Sequence, residues 1–157
     1  MVACASRLLP RTGARGEPGE QRWWVLYDGD CGLCKWLLCG LLAWDRTVRL
    51  HPLALQRPES EELLADLTPE ERMASWHLIS PEGGRRSGGA ALAPLLRLLP
   101  CGRFPAAAFA RLPTLTHRSY RWVAEHRSQL SKLVPTRVKQ RADECVRRRE
   151  RDLEREL

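Results

Sequence analysis

Trp23-Trp24-Val25-Leu26-Tyr27-Asp28-Gly29-Asp30-Cys31-Gly32-Leu33-Cys34 is the stretch from which the fold can be read. Its first five residues are a continuous apolar run of strand formers, the pattern of a central strand buried on both faces. The run stops at Asp28-Gly29-Asp30. From Cys31 to Asp45 the residues Leu33, Leu37, Leu38, Leu41, Leu42 and Trp44 recur at helical spacing, so a buried helix follows the loop directly.

Downstream, Val48-Arg49-Leu50-His51-Pro52-Leu53 reads as a short alternating strand closed by a proline. Glu59 to Leu67 reads as a short helix, and Thr68-Pro69-Glu70-Glu71 opens another with Thr as N-cap, Pro at N1 and Glu at N3. Trp76-His77-Leu78-Ile79 and Arg85-Arg86-Ser87 flank Pro81-Glu82-Gly83-Gly84, which predicts a hairpin. Gly88 to Leu99 is a small-residue-rich helix ended by Pro100. The order β-α-β-α-β-β-α, a parallel βαβ half followed by a hairpin and a helix, is the thioredoxin topology in the α/β class. Phe104 to Leu112 and His117 to Leu133 read as further helices, set off by prolines at 105, 113 and 135. Residues 136–156 contain no Pro or Gly and few apolar positions, so they predict a solvated charged helix unable to build a core alone. The chain thus divides into a leader over 1–21, a thioredoxin-like core over 22–100, a helical extension of the same domain over 101–134, and a charged C-terminal helix or tail over 135–157. It shows no internal repeat.

At 157 residues, with 43% hydrophobic and 29% charged residues, the composition is that of about one soluble globular domain. The longest uncharged apolar run, Trp36 to Trp44, is nine residues, about half of a membrane span. The net charge of +7 sits entirely after residue 100, and the first hundred residues are neutral as a unit. From His117 to Arg141 there are seven Lys or Arg against one Glu, with only Tyr120 and Trp122 as aromatics. The interleaved aromatics that stack bases are missing, which argues against nucleic acid. A solvated helical face is the preferred reading, and docking onto an acidic partner or an anionic membrane surface is the alternative.

Six cysteines are few for a disulfide scaffold, and no continuous apolar h-region marks a secretory signal. The expected compartment is intracellular and thiol-reducing, where a close cysteine pair means redox or metal chemistry. Arg7, Arg11 and Arg15, with no acid before Glu17, suit a short mitochondrial presequence as well as a plain leader. Mitochondrial and cytoplasmic locations both stay open.

Asp28-Gly29-Asp30-Cys31-Gly32-Leu33-Cys34 lies at the carboxyl end of a buried strand and in the first turn of a helix, where open α/β sheets place their sites. A cysteine there faces unpaired N–H groups and the positive end of the helix dipole, which favours thiolate. Cys31 is then the exposed nucleophile, and Cys34, one turn further in on the same face, the resolving thiol. The charge of Asp30 should oppose thiolate formation at its neighbour. Asp28 has two readings: a partly buried base for the Cys34 proton, or a loop cap accepting backbone N–H groups.

Tyr27-Asp28-Gly29-Asp30-Cys31-x-x-Cys34, the acid Asp45 closing the helix, His77, Gly88-x-Ala90, Leu112-Pro113 and Tyr120-x-x-Val123-Ala124-x-x-Arg127 together resemble the DCC family of predicted thiol-disulfide oxidoreductases. The resemblance covers roughly residues 22–131. It implies a thioredoxin-like fold, with Asp28, Cys31 and Cys34 as signature residues. One departure from thioredoxins proper is that Ala74-Ser75-Trp76 stands where they place a cis-proline. Trp76 and His77 either face the cysteines instead or serve the core and surface.

Two rivals fail on their own requirements. An aspartate-nucleophile phosphatase needs Thr or Val where Gly32 stands, and a later Lys with an acidic pair that the chain lacks. A zinc site needs two more ligands, while Cys39, His51 and His77 are isolated along the chain. Cys39 reads as a core thiol, and Cys4, Cys101 and Cys145 carry no assigned role. The sequence therefore predicts a protein-disulfide reductase that requires no metal or organic cofactor. Its partners would be a protein or small-molecule disulfide and an upstream reductant that the sequence does not name. The competing class is a non-catalytic thioredoxin-like module that binds an acidic partner through the basic extension.

Overall fold

Val25, Leu26 and Tyr27 are buried in the central strand β1 (Trp23–Tyr27), as a two-faced apolar run requires. The structure, a computed structural model, describes residues 22–155; the leader expected over 1–21 lies outside the described residues. After β1 come α1 (Gly32–Trp44), β2 (Leu50–Ala54), α2 (Pro58–Leu63), α3 (Pro69–Ala74), β3 (His77–Ile79) and β4 (Arg85–Ser87). A 3-10 turn (Gly88–Ala91) leads into α4 (Leu92–Leu98), α5 (Arg103–Arg111), α6 (Pro113–Glu125), α7 (Arg127–Leu133) and α8 (Thr136–Arg155). The sheet order is β2-β1-β3-β4, with β1 parallel to β2 and antiparallel to β3, and β3 antiparallel to β4. This is the expected thioredoxin-like α/β arrangement with a helical C-terminal part. No helix among the described residues is long and apolar enough to cross a membrane.

Alternation along β1 feeds two cores. Val25 and Tyr27 join Leu38 and Leu42 of α1, Leu95 of α4 and Ala106 of α5 on one face. Leu26 packs with Leu53, Leu55, Leu64 and Ile79 on the other. Thr68 begins α3 with the anticipated reciprocal cap: its Oγ1 accepts the Glu71 N–H at 3.2 Å, and Glu71 Oε2 accepts the Thr68 N–H at 2.9 Å.

Several boundaries differ from the sequence expectation. Pro52 pairs with Val25 inside β2 and does not close it; β2 is an edge strand, where a residue without an N–H is tolerated. The helix expected through Leu67 ends at Leu63, because the chain turns there to bring Leu64 and Leu67 onto Leu26 and Ile79. The paired glycines turn the start of the next expected helix into a 3-10 turn, with Gly88 at φ +58. The expected helix from His117 to Leu133 starts earlier, at Pro113, and breaks at His126, whose ring Nδ1 donates to the Trp122 carbonyl at 2.8 Å.

The largest correction concerns the C-terminal helix. It is no solvated tail: Ala142, Val146 and Leu153 of α8 are buried, and Val146 completes the core around Leu38 and Leu42. Lys139 lies on Gly32, Asp143 Oδ1 pairs with Lys35 Nζ at 2.6 Å, and Arg149 donates to the Leu42 carbonyl at 3.2 Å. These contacts advance together along both helices, so α8 runs parallel to α1.

Candidate active site

The strand-to-helix turn puts Cys31 at the N-cap of α1 with extended backbone, φ −88 and ψ 106. Its Sγ accepts the Cys34 N–H at 3.2 Å, one of the amides that a helix start leaves without an internal partner. The Cys31 thiol is lowered to about 6, first by the hydrogen bond it receives from the Cys34 thiol. Burial opposes this, the Cys34 backbone N–H adds to it, Asp28 pushes the thiol up and Arg127 pulls it down. Cys34 moves the other way, far above an ordinary thiol, because it donates to Cys31 and is buried beside that sulfur. One cysteine of the pair is therefore the readier thiolate and the other stays protonated beside it.

Asp28 lies where β1 ends, its side chain only 11% exposed. Oδ1 accepts the Asp30 N–H at 3.0 Å and Gln56 Nε2 at 2.9 Å, and Oδ2 faces Arg127 at 3.5 Å. The carboxylate therefore caps the loop while also acting electrostatically on both thiols. The opposition expected from Asp30 comes from Asp28; Asp30 is exposed and turns to Gln56 at 3.3 Å.

Gln56 is the residue that sequence reasoning misses here, and Arg127 is one that it singles out without a role. Gln56 Oε1 accepts the Gly29 N–H at 3.0 Å, so one amide clamps the whole Asp28–Asp30 turn. Its position follows from the β1–β2 pairing, which continues past the strands with Leu55 N–H donating to the Tyr27 carbonyl at 2.8 Å. Arg127 stood in the quoted motif at the end of a helical period, but only the fold shows that it turns back onto Asp28.

Tyr120 and Trp76 close the other side. The Tyr120 hydroxyl accepts the Trp76 N–H at 3.1 Å, and burial pushes its own ionisation up to about 12. Trp76 and Cys34 line a common apolar cleft. His77 does not face it: Nε2 donates to the Arg72 carbonyl at 3.0 Å, and Nδ1 lies 2.7 Å from Ser87 Oγ. A carbonyl can only accept, so Nδ1 is the acceptor for the serine hydroxyl. His77 is a satisfied core histidine, kept neutral by burial. No cis peptide bond occurs among the described residues, Ala74-Ser75-Trp76 included.

A family model of DCC1-like thiol-disulfide oxidoreductases matches residues 25–133, the span that holds the cysteine pair, Asp28, Tyr120 and Arg127. The chain belongs to this family. No curated protein and no solved structure matches it. The DCC1-like span ends before α8, yet α8 supplies Lys139 against Gly32 beside Cys31 and Glu150, whose carboxylate accepts from the Tyr27 hydroxyl at 3.0 Å. Among the described residues no group of three or more His, Cys, Asp or Glu is placed to hold a metal ion.

The cleft of this DCC1-like fold has a volume of about 470 Å³ and lies between α1 and α6. Cys34, Leu37 and Leu41 form one wall, and Phe109 and Val123 lie across from them. Asp28 and Arg127 are the charged groups that reach it. Several of the basic residues in the extension are engaged with the chain's own acids: Arg127 with Asp28, Arg147 with Asp143, Arg149 with Asp45 and Arg151 with Glu144.

Proposed function

We propose that the protein is a protein-disulfide reductase in which Cys31 attacks and Cys34 resolves. The observation that carries this reading is the Cys31 sulfur held at the start of α1 by the Cys34 N–H at 3.2 Å. Both thiols are free and half-buried. In the first step the Cys31 thiolate attacks one sulfur of a substrate disulfide; the Cys31–sulfur bond forms as the substrate bond breaks, and the other sulfur leaves as thiolate. In the second, Cys34 gives its proton to Asp28 and attacks Cys31 Sγ. The remaining substrate sulfur leaves, and the products are a reduced substrate and a Cys31–Cys34 disulfide. A thiol reductant upstream returns that disulfide to the dithiol.

Substrate selection falls to the cleft. Its walls are almost wholly apolar, which suits a hydrophobic side chain or small apolar group flanking the disulfide, with Cys34 at the point where the two meet. The Trp76 N–H is already taken by Tyr120, so substrate backbone is not held at that amide. The binding-module alternative gains no support, since ion pairs within the chain already engage part of the basic extension.

Reduction of a model protein disulfide tests the proposal. Cys31→Ser should abolish turnover, and Cys34→Ser should trap a mixed disulfide that mass spectrometry maps to Cys31. A wild-type protein that neither reduces a disulfide nor forms the Cys31–Cys34 bond under oxidant would overturn it.

A further inference from the structure

Two cysteines without a part in that chemistry meet at the α1–α8 seam. Lys139 lies on Gly32, Asp143 on Lys35 and Arg149 on Leu42, an offset of 107 or 108 residues for the two hydrogen-bonded pairs. Carried along the same parallel pair, that register puts Cys39 opposite Val146, the residue next to Cys145. The side chains do meet: the Cys39 thiol is hydrogen-bonded to Cys145, both residues are half-buried, and both are free. Cys39 packs against the core that Val146, next to Cys145, completes.

We propose that Cys39 and Cys145 are a second dithiol–disulfide site, whose oxidation fastens α8 onto α1. This goes beyond the Cys31–Cys34 reading and stands without it. Cys145 lies outside the span of the family match, so the pair is a property of this chain's own C-terminal helix. The oxidant required is a low-molecular-weight disulfide. One thiol of the pair loses its proton and attacks the small disulfide, forming a mixed disulfide and releasing one small thiol. The second thiol then attacks the protein sulfur of that mixed bond, forming Cys39–Cys145 and releasing the other small thiol. Two protein thiols are oxidised and one small disulfide is reduced to two thiols.

The bond would act where α8 matters most. Its register keeps the Lys139 stem over Gly32, beside the Cys31 N-cap, and keeps Val146 in the core that holds Leu38 and Leu42. A cross-link between positions so far apart in sequence restricts the unfolded chain strongly, so the stabilisation should be large.

The experiment uses the full chain carrying Cys31→Ser and Cys34→Ser, which removes the first redox pair from the readout. The protein is treated with oxidised glutathione, free thiols are blocked by alkylation, and linked peptides are mapped by mass spectrometry. The expected result is a Cys39–Cys145 peptide, with Tm raised on the order of 10 °C and returned by dithiothreitol. Adding Cys145→Ala should remove both the linked peptide and the shift. Recovery of Cys39 and Cys145 only as separately alkylated or glutathionylated residues would overturn the proposal, and so would a linked peptide with no change in Tm. The mapping in the Cys31→Ser, Cys34→Ser protein decides the matter even if the Cys145 variant fails to fold.

Discussion

Cys31 Sγ accepts the backbone N–H of Cys34 at 3.2 Å, and the Cys34 thiol donates to the same sulfur. The thiol-to-thiol bond is the larger of the two influences, ahead of the amide. Alkylation of Cys31 by iodoacetamide should therefore show a pH midpoint of about 6. Cys34→Ala should move that midpoint upward toward the ordinary thiol value, though not fully, because the amide remains. Stability follows with a definite sign. Between about 6 and the ordinary value of 9.0, the unfolded chain holds a proton on Cys31 that the folded chain does not. The contribution of Cys31 to stability thus rises through that window and is lost as pH falls through about 6. Cys34 works in reverse, staying protonated in the fold above its ordinary 9.0, so the pair should favour folding most near that pH. Urea midpoints of the reduced protein across this range check it; a flat profile would contradict the coupling.

Asp28 and Arg127, 3.5 Å apart, act on Cys31 with opposite signs. Asp28→Asn should lower the Cys31 alkylation midpoint, and Arg127→Gln should raise it. Asparagine keeps an oxygen for the Asp30 N–H, so the turn should survive the first change. With Asp28 taking the Cys34 proton in the proposed resolution step, Asp28→Asn should prolong the mixed disulfide on the order of 100-fold in stopped-flow reduction, even as Cys31 becomes a readier thiolate. An unchanged resolution rate would confine Asp28 to holding the loop.

Local rules made most of this site legible. A buried apolar run ending in Asp-Gly-Asp, followed by helical spacing from Cys31, suffices to place a cysteine pair at a strand-to-helix turn, because strand period, turn chemistry and helix period are all short-range. The Thr68 cap was legible for the same reason. Gln56 and Arg127 were not, since their roles depend on a β1–β2 register and on a helix break at His126 that bring distant positions onto one turn. Pro52 misled because a proline reads as an end until the strand is known to lie at an edge. The C-terminal helix misled most. Its net charge suggested solvation, while the sparse apolar set Ala142, Val146 and Leu153 lay on one face and marked a docked helix.

Gly88, in the turn before α4, lies against the Tyr120 ring of α6. It has φ +58, and a Cβ there would lie 3.0 Å from Cε1 of Tyr120. Gly88→Ala should cost about 1–3 kcal/mol through backbone strain and the displaced ring. Tyr120→Phe removes the partner of the Trp76 N–H and should cost about 1–2 kcal/mol. The ring and the glycine touch, so the double variant should lose less than the two single losses combined. Urea unfolding of the four proteins tests this, and strict additivity would show that the contact carries no shared energy.

Val146 is fully buried against a core formed by α1 and the sheet, although it comes from the helix with the most charge. Val146→Ala should destabilise the protein by about 2 kcal/mol, whereas Val138→Ala on the same helix, outside the buried set, should change it by less than about 0.5 kcal/mol. A chain ending at Pro135 would lose Val146, Ala142 and Leu153 together and leave Leu38 and Leu42 uncovered. It should bind a hydrophobic dye and unfold at markedly lower urea than the full chain. A truncated protein with native stability would mean that α8 is dispensable to the core, against its burial there. The contrast between the two valines separates packing from mere helix formation, because both substitutions raise helix propensity and only one opens a cavity.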